Sequence, residues 1–393
     1  MRRVEWMLVV LLVALVVLAV GVVVVTPQLG RRPATMPDPL DPGETETLRA
    51  RVVDILEEGR VELGDGHTQP YQRVLVYVES GSLAGERIAV EEGVVNIISD
   101  QRLFEPGDRV FLERVAGPGE DRFYISDVVR LAPLVVLAVL FFGLVVGVGR
   151  WKGVRSLGGT LFSLAVIFGF ILPQIVAGRD PVAVSIVGSI LLLSVSTYLT
   201  YGINLKAHAA VVGMVLSLTL TGALARLFVG WSRLGGLGME ESSFLILELG
   251  SGINLRGLVL GGIIIGSLGV LDDVCVSQAS AIFELIRANR DLKLLDLFRS
   301  SLNIGTDHIA AMVNTLLLAY VGGAMPLMLA FVIYQEPILL RINREPIAEE
   351  IVRTLAGSCG LVLAVPITSL IASFFARWFV QRSEMGARYQ HAE

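Results

Sequence analysis

Apolar residues run through this chain in long blocks, and most of the charge sits between the blocks. Trp6 to Val25 gives about 20 uncharged residues, enough to cross a hydrocarbon core of ~30 Å. Similar blocks cover Leu131–Val148, Leu157–Ala177, Val182–Leu199, the stretch up to Phe228, residues from 257 onward, 303–334, and Thr354–Phe375. Basic residues cluster at Arg2 and Arg3, in RWKGVR (150–155), at Arg287, Arg290, Lys293 and Arg299, and at Arg377 and Arg382. Such clusters mark cytoplasmic loops, which predicts eight spans with both termini inside the cell. A ninth span is needed only if Pro326–Leu340 crosses separately, and the basic clusters favour eight. The segment FLILELGSGINLR (244–256) is too short to cross and carries Glu248, so a re-entrant or interfacial piece is expected.

One block breaks this pattern. Residues 31–47 are rich in proline and acid and read as a linker after a first helix at 1–30. Residues 48–130 alternate on a short period in LRARVVDIL, RVLVYVES, RIAVEE, DRVFLERV and FYISDVV. Turn signals such as Gly64-Asp65-Gly66 and Pro106-Gly107-Asp108 separate these runs. The expectation is a small extracytoplasmic β-barrel-like domain of OB type, with a β-sandwich as the competing shape. His67 falls in one of its turns. The predicted whole is a polytopic α-helical bundle at 131–380 carrying this β domain outside, with a cytoplasmic tail at 381–393. A signal peptide at the N-terminus is disfavoured because its apolar region would be shorter and Val22–Val25 offers no small-residue cleavage site.

Composition agrees with a membrane protein: 53% hydrophobic and 18% charged, with mean hydropathy +0.68. The net charge of −5 does not bear on orientation, which follows Lys and Arg in loops. No basic patch or aromatic platform suggests nucleic acid as a partner. Cys275 and Cys359 lie in apolar stretches and read as packed, reduced thiols. No P-loop, serine elbow or HExxH motif occurs, so neither an enzyme nor a cofactor is expected.

The chemistry concentrates in LRGLVLGGIIIGSLGVLDDVCVSQASAIFEL (255–285). One acid at a bilayer's centre costs roughly 2.5–3.5 kcal/mol, and here Asp272 and Asp273 are adjacent. On a helix, Gly262, Gly266, Gly269, Asp273, Ser277, Ser280 and Glu284 share one face, while Asp272 points about 100° away. Gly262 and Gly266 form a small-xxx-small pair for close helix packing, with Gly269 continuing the stripe. Two readings follow for the acids. In one, the span ends near Asp272 and the pair caps a following cytoplasmic helix. In the other, the acids lie inside the membrane as a proton or cation relay. Lys206 and His208 at the start of the fifth span, and His308 and Asn314 in the seventh, are candidate partners by chemistry or simple interfacial and interhelical polar residues. An intramembrane aspartyl protease would need facing acids from separate helices, which this adjacent pair does not supply.

YGINLKAHAA, GSLGVLDDVCVSQASAIFEL, NIGTDHIAAMVNTLLLAYVGG and EEIVRTLAGSCGLVLAVPITSLIA together resemble the YibE/F-like membrane protein family. The start, one helix and a β domain, matches the YibE-like portion, so the resemblance extends over nearly the whole chain. It implies a multi-pass membrane protein and says little of activity; the orientation of the first helix, inside to outside, is what places residues 31–130 on the exterior of a bacterial plasma membrane. LGVLDDVCVSQASAIFELIR is also similar to the acid-bearing helix of RND-type permeases, which implies a proton relay at Asp272 and Asp273 alone. The small outer domain, two extra spans and missing second half depart from that family. Two functions are therefore expected to compete. One is a proton- or cation-coupled transporter of an unknown small solute or ion. The other is a non-transporting assembly or sensor protein whose β domain binds a protein partner.

Overall fold

The computed structural model describes residues 45–62, 68–94, 103–116, 121–238, 240–249, 253–333 and 336–390. The expected first helix (1–30), most of the linker, His67 and the side chains of Glu248 and Arg382 lie outside the described residues. The chain divides into two compact units, a β unit and a helical unit.

The β unit contains β1 (Thr45–Glu62), β2 (Thr68–Ser80), β3 (Arg87–Glu92), β4 (Arg109–Val115) and β5 (Arg122–Val128) in one antiparallel sheet ordered β3-β2-β1-β4-β5. Alternation buries Leu48, Ala50 and Val52 of β1 with Val74, Val76 and Val78 of β2. Register shifts along β1, between Val52 and Asp54 and between Ile55 and Glu57, bend this long strand so that the sheet curls. The buried Gln72 side chain ties the segment at Phe104 to the sheet. It accepts from the Phe104 amide at 2.7 Å and donates to the Phe104 carbonyl at 3.3 Å. The expected barrel is reached only as a half-barrel. No ladder joins β3 to β5; instead the buried Glu92 of β3 accepts from the Ile125 amide of β5 at 3.0 Å.

The helical unit and the segment leading to it contain α1 (Leu131–Val166), a π-helical turn (Ile167–Ile171), α2 (Leu172–Val176), α3 (Pro181–Tyr201) and α4 (Leu205–Trp231). Then come α5 (Glu240–Leu249), α6 (Leu255–Ala288), α7 (Leu294–Gly323), α8 (Met325–Ile333), α9 (Ile338–Ile342) and α10 (Glu345–Gln390). Among the described residues six helical stretches are long and apolar enough to cross a membrane. The expected count of eight is therefore not reached there. The first stretch, Leu131–Val176, leaves helical geometry at Arg150 (φ 50°, ψ −132°) and so has two arms. A Cβ on Gly153 would stand 2.2 Å from the Val145 carbonyl oxygen, so only glycine permits the approach across this bend. The stretch 303–334 also differs from expectation. Its helix starts back at Leu294 and breaks at Ala324, and the nine-residue α8 is too short to span.

The helix α6 packs against α3, α4, α7 and α10. Small residues set these spacings, because helices in lipid associate through close packing rather than through hydrophobic exclusion. Gly213 of α4 abuts Thr368 of α10, and Thr221 of α4 abuts Gly360 of α10. The two numberings run in opposite senses, so α4 and α10 are antiparallel. Ser217 and Ala364, midway along that seam, are fully buried. A Cβ on Gly261 of α6 would meet the Ser185 hydroxyl of α3 at 2.5 Å.

Candidate functional site

Asn254 starts α6 by accepting the Gly257 amide at 2.9 Å, and the helix then runs without a break to Ala288. Asp272 and Asp273 lie about 26 Å from its first turn, near its midpoint. Neither acid sits at a helix start, so the capping reading fails on geometry. Successive positions turn about 100°, and the two carboxylates face different surroundings.

Asp272 is half-buried and turned toward α3, where the Thr197 hydroxyl donates to its Oδ1 at 3.4 Å. Thr197 is itself buried, with its hydroxyl 3.9 Å from the Met214 sulfur of α4. Asp273 is exposed. Thr197 and the Ser185–Gly261 contact rise together in numbering, so α3 and α6 run parallel. Thr197 lies four positions before the end of α3, which puts Asp272 about 6 Å above the α3–α4 turn.

That turn gathers the next candidates. Asn204 caps α4 by accepting the Ala207 amide at 2.9 Å. The Tyr198 hydroxyl is 2.8 Å from His208 Nδ1, with the rings edge to face. Lys206 Nζ lies 5.7 Å from the Tyr201 ring centroid, within cation–π range. Tyr201 is in electrostatic reach of both Asp272 and Asp273. Lys206 and His208 are held by tyrosines. Among the described residues neither aspartate forms an ion pair.

The glycine stripe corrects the packing expectation. A Cβ on Gly269 would meet nothing within 4 Å, and Gly266 is exposed with only the Tyr320 hydroxyl near. Gly262 faces the Arg353 guanidinium at 3.6 Å. The stripe is an open strip about 16 Å long from Gly262 to Asp273, not a helix seam. The seams are made instead at Gly261, Gly213, Gly360 and Gly305. Arg353 beside the strip pairs with Glu350 at 3.4 Å, and both side chains are only 19% exposed.

Below the acids a buried polar knot ties three helices. Gln278 Oε1 of α6 accepts from Ser301 of α7 at 2.8 Å and from Ser369 of α10 at 3.2 Å. One turn above, the Thr368 hydroxyl donates to Cys275 Sγ at 3.1 Å. His308 of α7 lies about one turn from Gly305, which packs on Gln278, and its Nε2 is shielded without a hydrogen-bond partner among the described residues. Ser277 and Asn314 are exposed and make no hydrogen bond among the described residues. The candidates thus separate into an acid-and-tyrosine group at the α3–α4 turn and scattered polar positions on α6 and α7. Sequence reasoning missed Thr197, Tyr198 and Tyr201. The clustered polar ends of TYLTY (197–201) were the available signal. No three His, Cys, Asp or Glu side chains gather as metal ligands would among the described residues.

The family model of the YibE/F-like protein matches residues 137–378, and the chain belongs to that family. The match covers the membrane block and leaves the β unit outside it, so it is narrower than the near-complete resemblance expected from sequence. No curated protein and no solved structure matches the chain.

Proposed function

We propose that this member of the YibE/F-like family is a proton- or cation-coupled transporter of the bacterial cell membrane in which Asp272 is the coupling acid. The observation that carries this reading is a half-buried carboxylate, midway along an unbroken helix, with one threonine hydroxyl as its hydrogen-bond donor and no ion-pair partner among the described residues. An ionised acid in that setting is costly, and binding a proton or a small cation removes the cost. Occupancy of Asp272 would then bias how α3 and α6 pack, which is what coupling requires. Asp273 and the open glycine strip supply a polar approach from the other side of α6. Among the described residues no hydrogen bond or ion pair joins Lys206, His208 or His308 to Asp272, so the reading rests on Asp272 itself. Under the positive-inside rule the α3–α4 turn, near Arg155 and Lys206, faces the cytoplasm and the β unit faces outward. The bilayer and an unknown small solute or ion are the partners.

Infrared spectroscopy of the full protein in liposomes tests this. The expected result is a carboxyl band that titrates reversibly, disappears in Asp272→Asn and persists in Asp273→Asn. A spectrum in which Asp272→Asn changes no titrating band overturns the reading. The second reading, an assembly or sensor protein, draws on the β unit lying outside the family match. It requires that deleting residues 48–130 abolishes function while the double Asp→Asn variant keeps it.

A further inference from the structure

Away from the acids, a groove lies between the far parts of α3 and α4, with α6 lining it as well. Ile186 and Ile190 form one wall, Leu218 and Gly222 the other, and Leu260 and Ile264 the floor. Along α4 the groove extends from Val215 to Arg226, about 16 Å, close to one leaflet of a ~30 Å hydrocarbon core. Arg226 closes its upper end and also lines an adjoining pocket of about 310 Å³. That pocket contains Arg256, Asp180 and Asn254. Three of its groups are already engaged. Arg256 donates to the Leu234 carbonyl at 3.0 Å, Asn254 to Asp180 at 3.4 Å, and Asp180 caps α3 through the Ala183 amide at 3.0 Å. Arg226 has no hydrogen-bond or ion-pair partner among the described residues.

An unpartnered guanidinium at the top of a leaflet-deep apolar groove matches one chemistry, an acyl chain joined to an anionic head. We infer that this groove is a binding site for an anionic phospholipid of the surrounding leaflet. Its phosphate sits on Arg226, with Arg256 adding positive charge, and one acyl chain lies over Leu260 and Ile264. Guanidinium suits phosphate because its planar fork can donate two parallel hydrogen bonds. Asp180 opposes an anion, but its hydrogen bonds from Asn254 and the α3 terminus spread its charge. The site is independent of Asp272, so its failure would leave the coupling proposal standing.

The test uses the full-length purified protein, with retained lipid counted by native mass spectrometry and melting followed after adding defined lipids. Phosphatidylglycerol is expected to be retained and to raise the melting temperature more than phosphatidylcholine does. Arg226→Gln should weaken that retention about fivefold, the usual contribution of one basic residue at an anionic membrane surface. Gly222→Leu should do the same with the charge intact. A Cβ there meets only Ile264, at 3.7 Å, so the larger side chain fills the groove without breaking the helix seam. Equal effects of the two lipids, or phosphatidylglycerol retention unchanged in both variants, would overturn the site. An equal shift from inorganic phosphate alone would overturn the lipid and leave a simple anion pocket.

Discussion

Gly360 of α10 and Thr221 of α4 stand so close that a Cβ on the glycine would lie 1.9 Å from the threonine hydroxyl oxygen. Thr221 cannot turn aside freely, because it is fully buried and its hydroxyl donates to the Ser217 carbonyl at 2.8 Å. Gly360→Ala must therefore push the two helices apart. Overpacking of this kind costs about 1–3 kcal/mol. The purified protein should melt at a lower temperature, whereas Gly269→Ala, which adds a methyl to open space, should leave melting unchanged.

Thr197→Val removes the hydroxyl that donates to Asp272 while keeping the shape of the side chain. Hydrogen bonds between membrane helices contribute about 0.6–2 kcal/mol. If Asp272 is the coupling acid, this variant shifts its titration in the infrared spectrum without abolishing it. Asp272→Asn abolishes it. An unshifted band in Thr197→Val would show that the hydroxyl does not act on the carboxyl.

Gln278 is the point where α6, α7 and α10 are tied by side chains. Gln278→Leu keeps the bulk but leaves Ser301 and Ser369 with only each other, at 2.9 Å. A buried polar group that loses a partner costs about 1–3 kcal/mol. Faster unfolding in denaturing detergent is the expected outcome, with Ser277→Ala on the exposed face as the neutral control.

In the β unit, the hydroxyl and then the amide of Ser82 donate to Glu46, and together with Arg114 they hold its carboxyl below the usual range. A carboxyl lowered in the folded state adds stability above its ordinary value and loses it as pH falls through the lowered one. The turn at Gly81 depends on this brace, since Gly81 has φ 101° and packs on Leu48 and Glu46. The hydrogen-exchange protection factors of the Ser82–Gly85 turn in the full-length protein, taken against the intrinsic rate at each pH, should therefore fall on acidification below the ordinary glutamate range. In Glu46→Gln protection there should already be low at neutral pH and should not change further over that range.

Much of the architecture was legible because it depends on local composition. Apolar runs of spanning length, turn signals between short β-branched runs and loop charge are all written in neighbouring residues. The five strands fall where alternation placed them, although β1 begins at Thr45, inside the expected linker. The boundaries of α7 and the bend at Arg150 were less legible. Where an apolar run breaks depends on the neighbours available to satisfy the freed backbone.

The candidate site was legible only in part. Two adjacent acids in an apolar run stand out whatever the fold, so the sequence by itself determined that Asp272 and Asp273 need explaining. It also determined a membrane block with a separate β segment, because burial in lipid is a property of whole runs of residues. Only the tertiary structure decided that Asp272 meets Thr197 while Asp273 faces outward, and that Gly262, Gly266 and Gly269 line an open strip while Gly213 and Gly360 form the seam. The reason is physical. Periodicity says which residues share a face of one helix, but which neighbour covers that face depends on how all the helices pack at once.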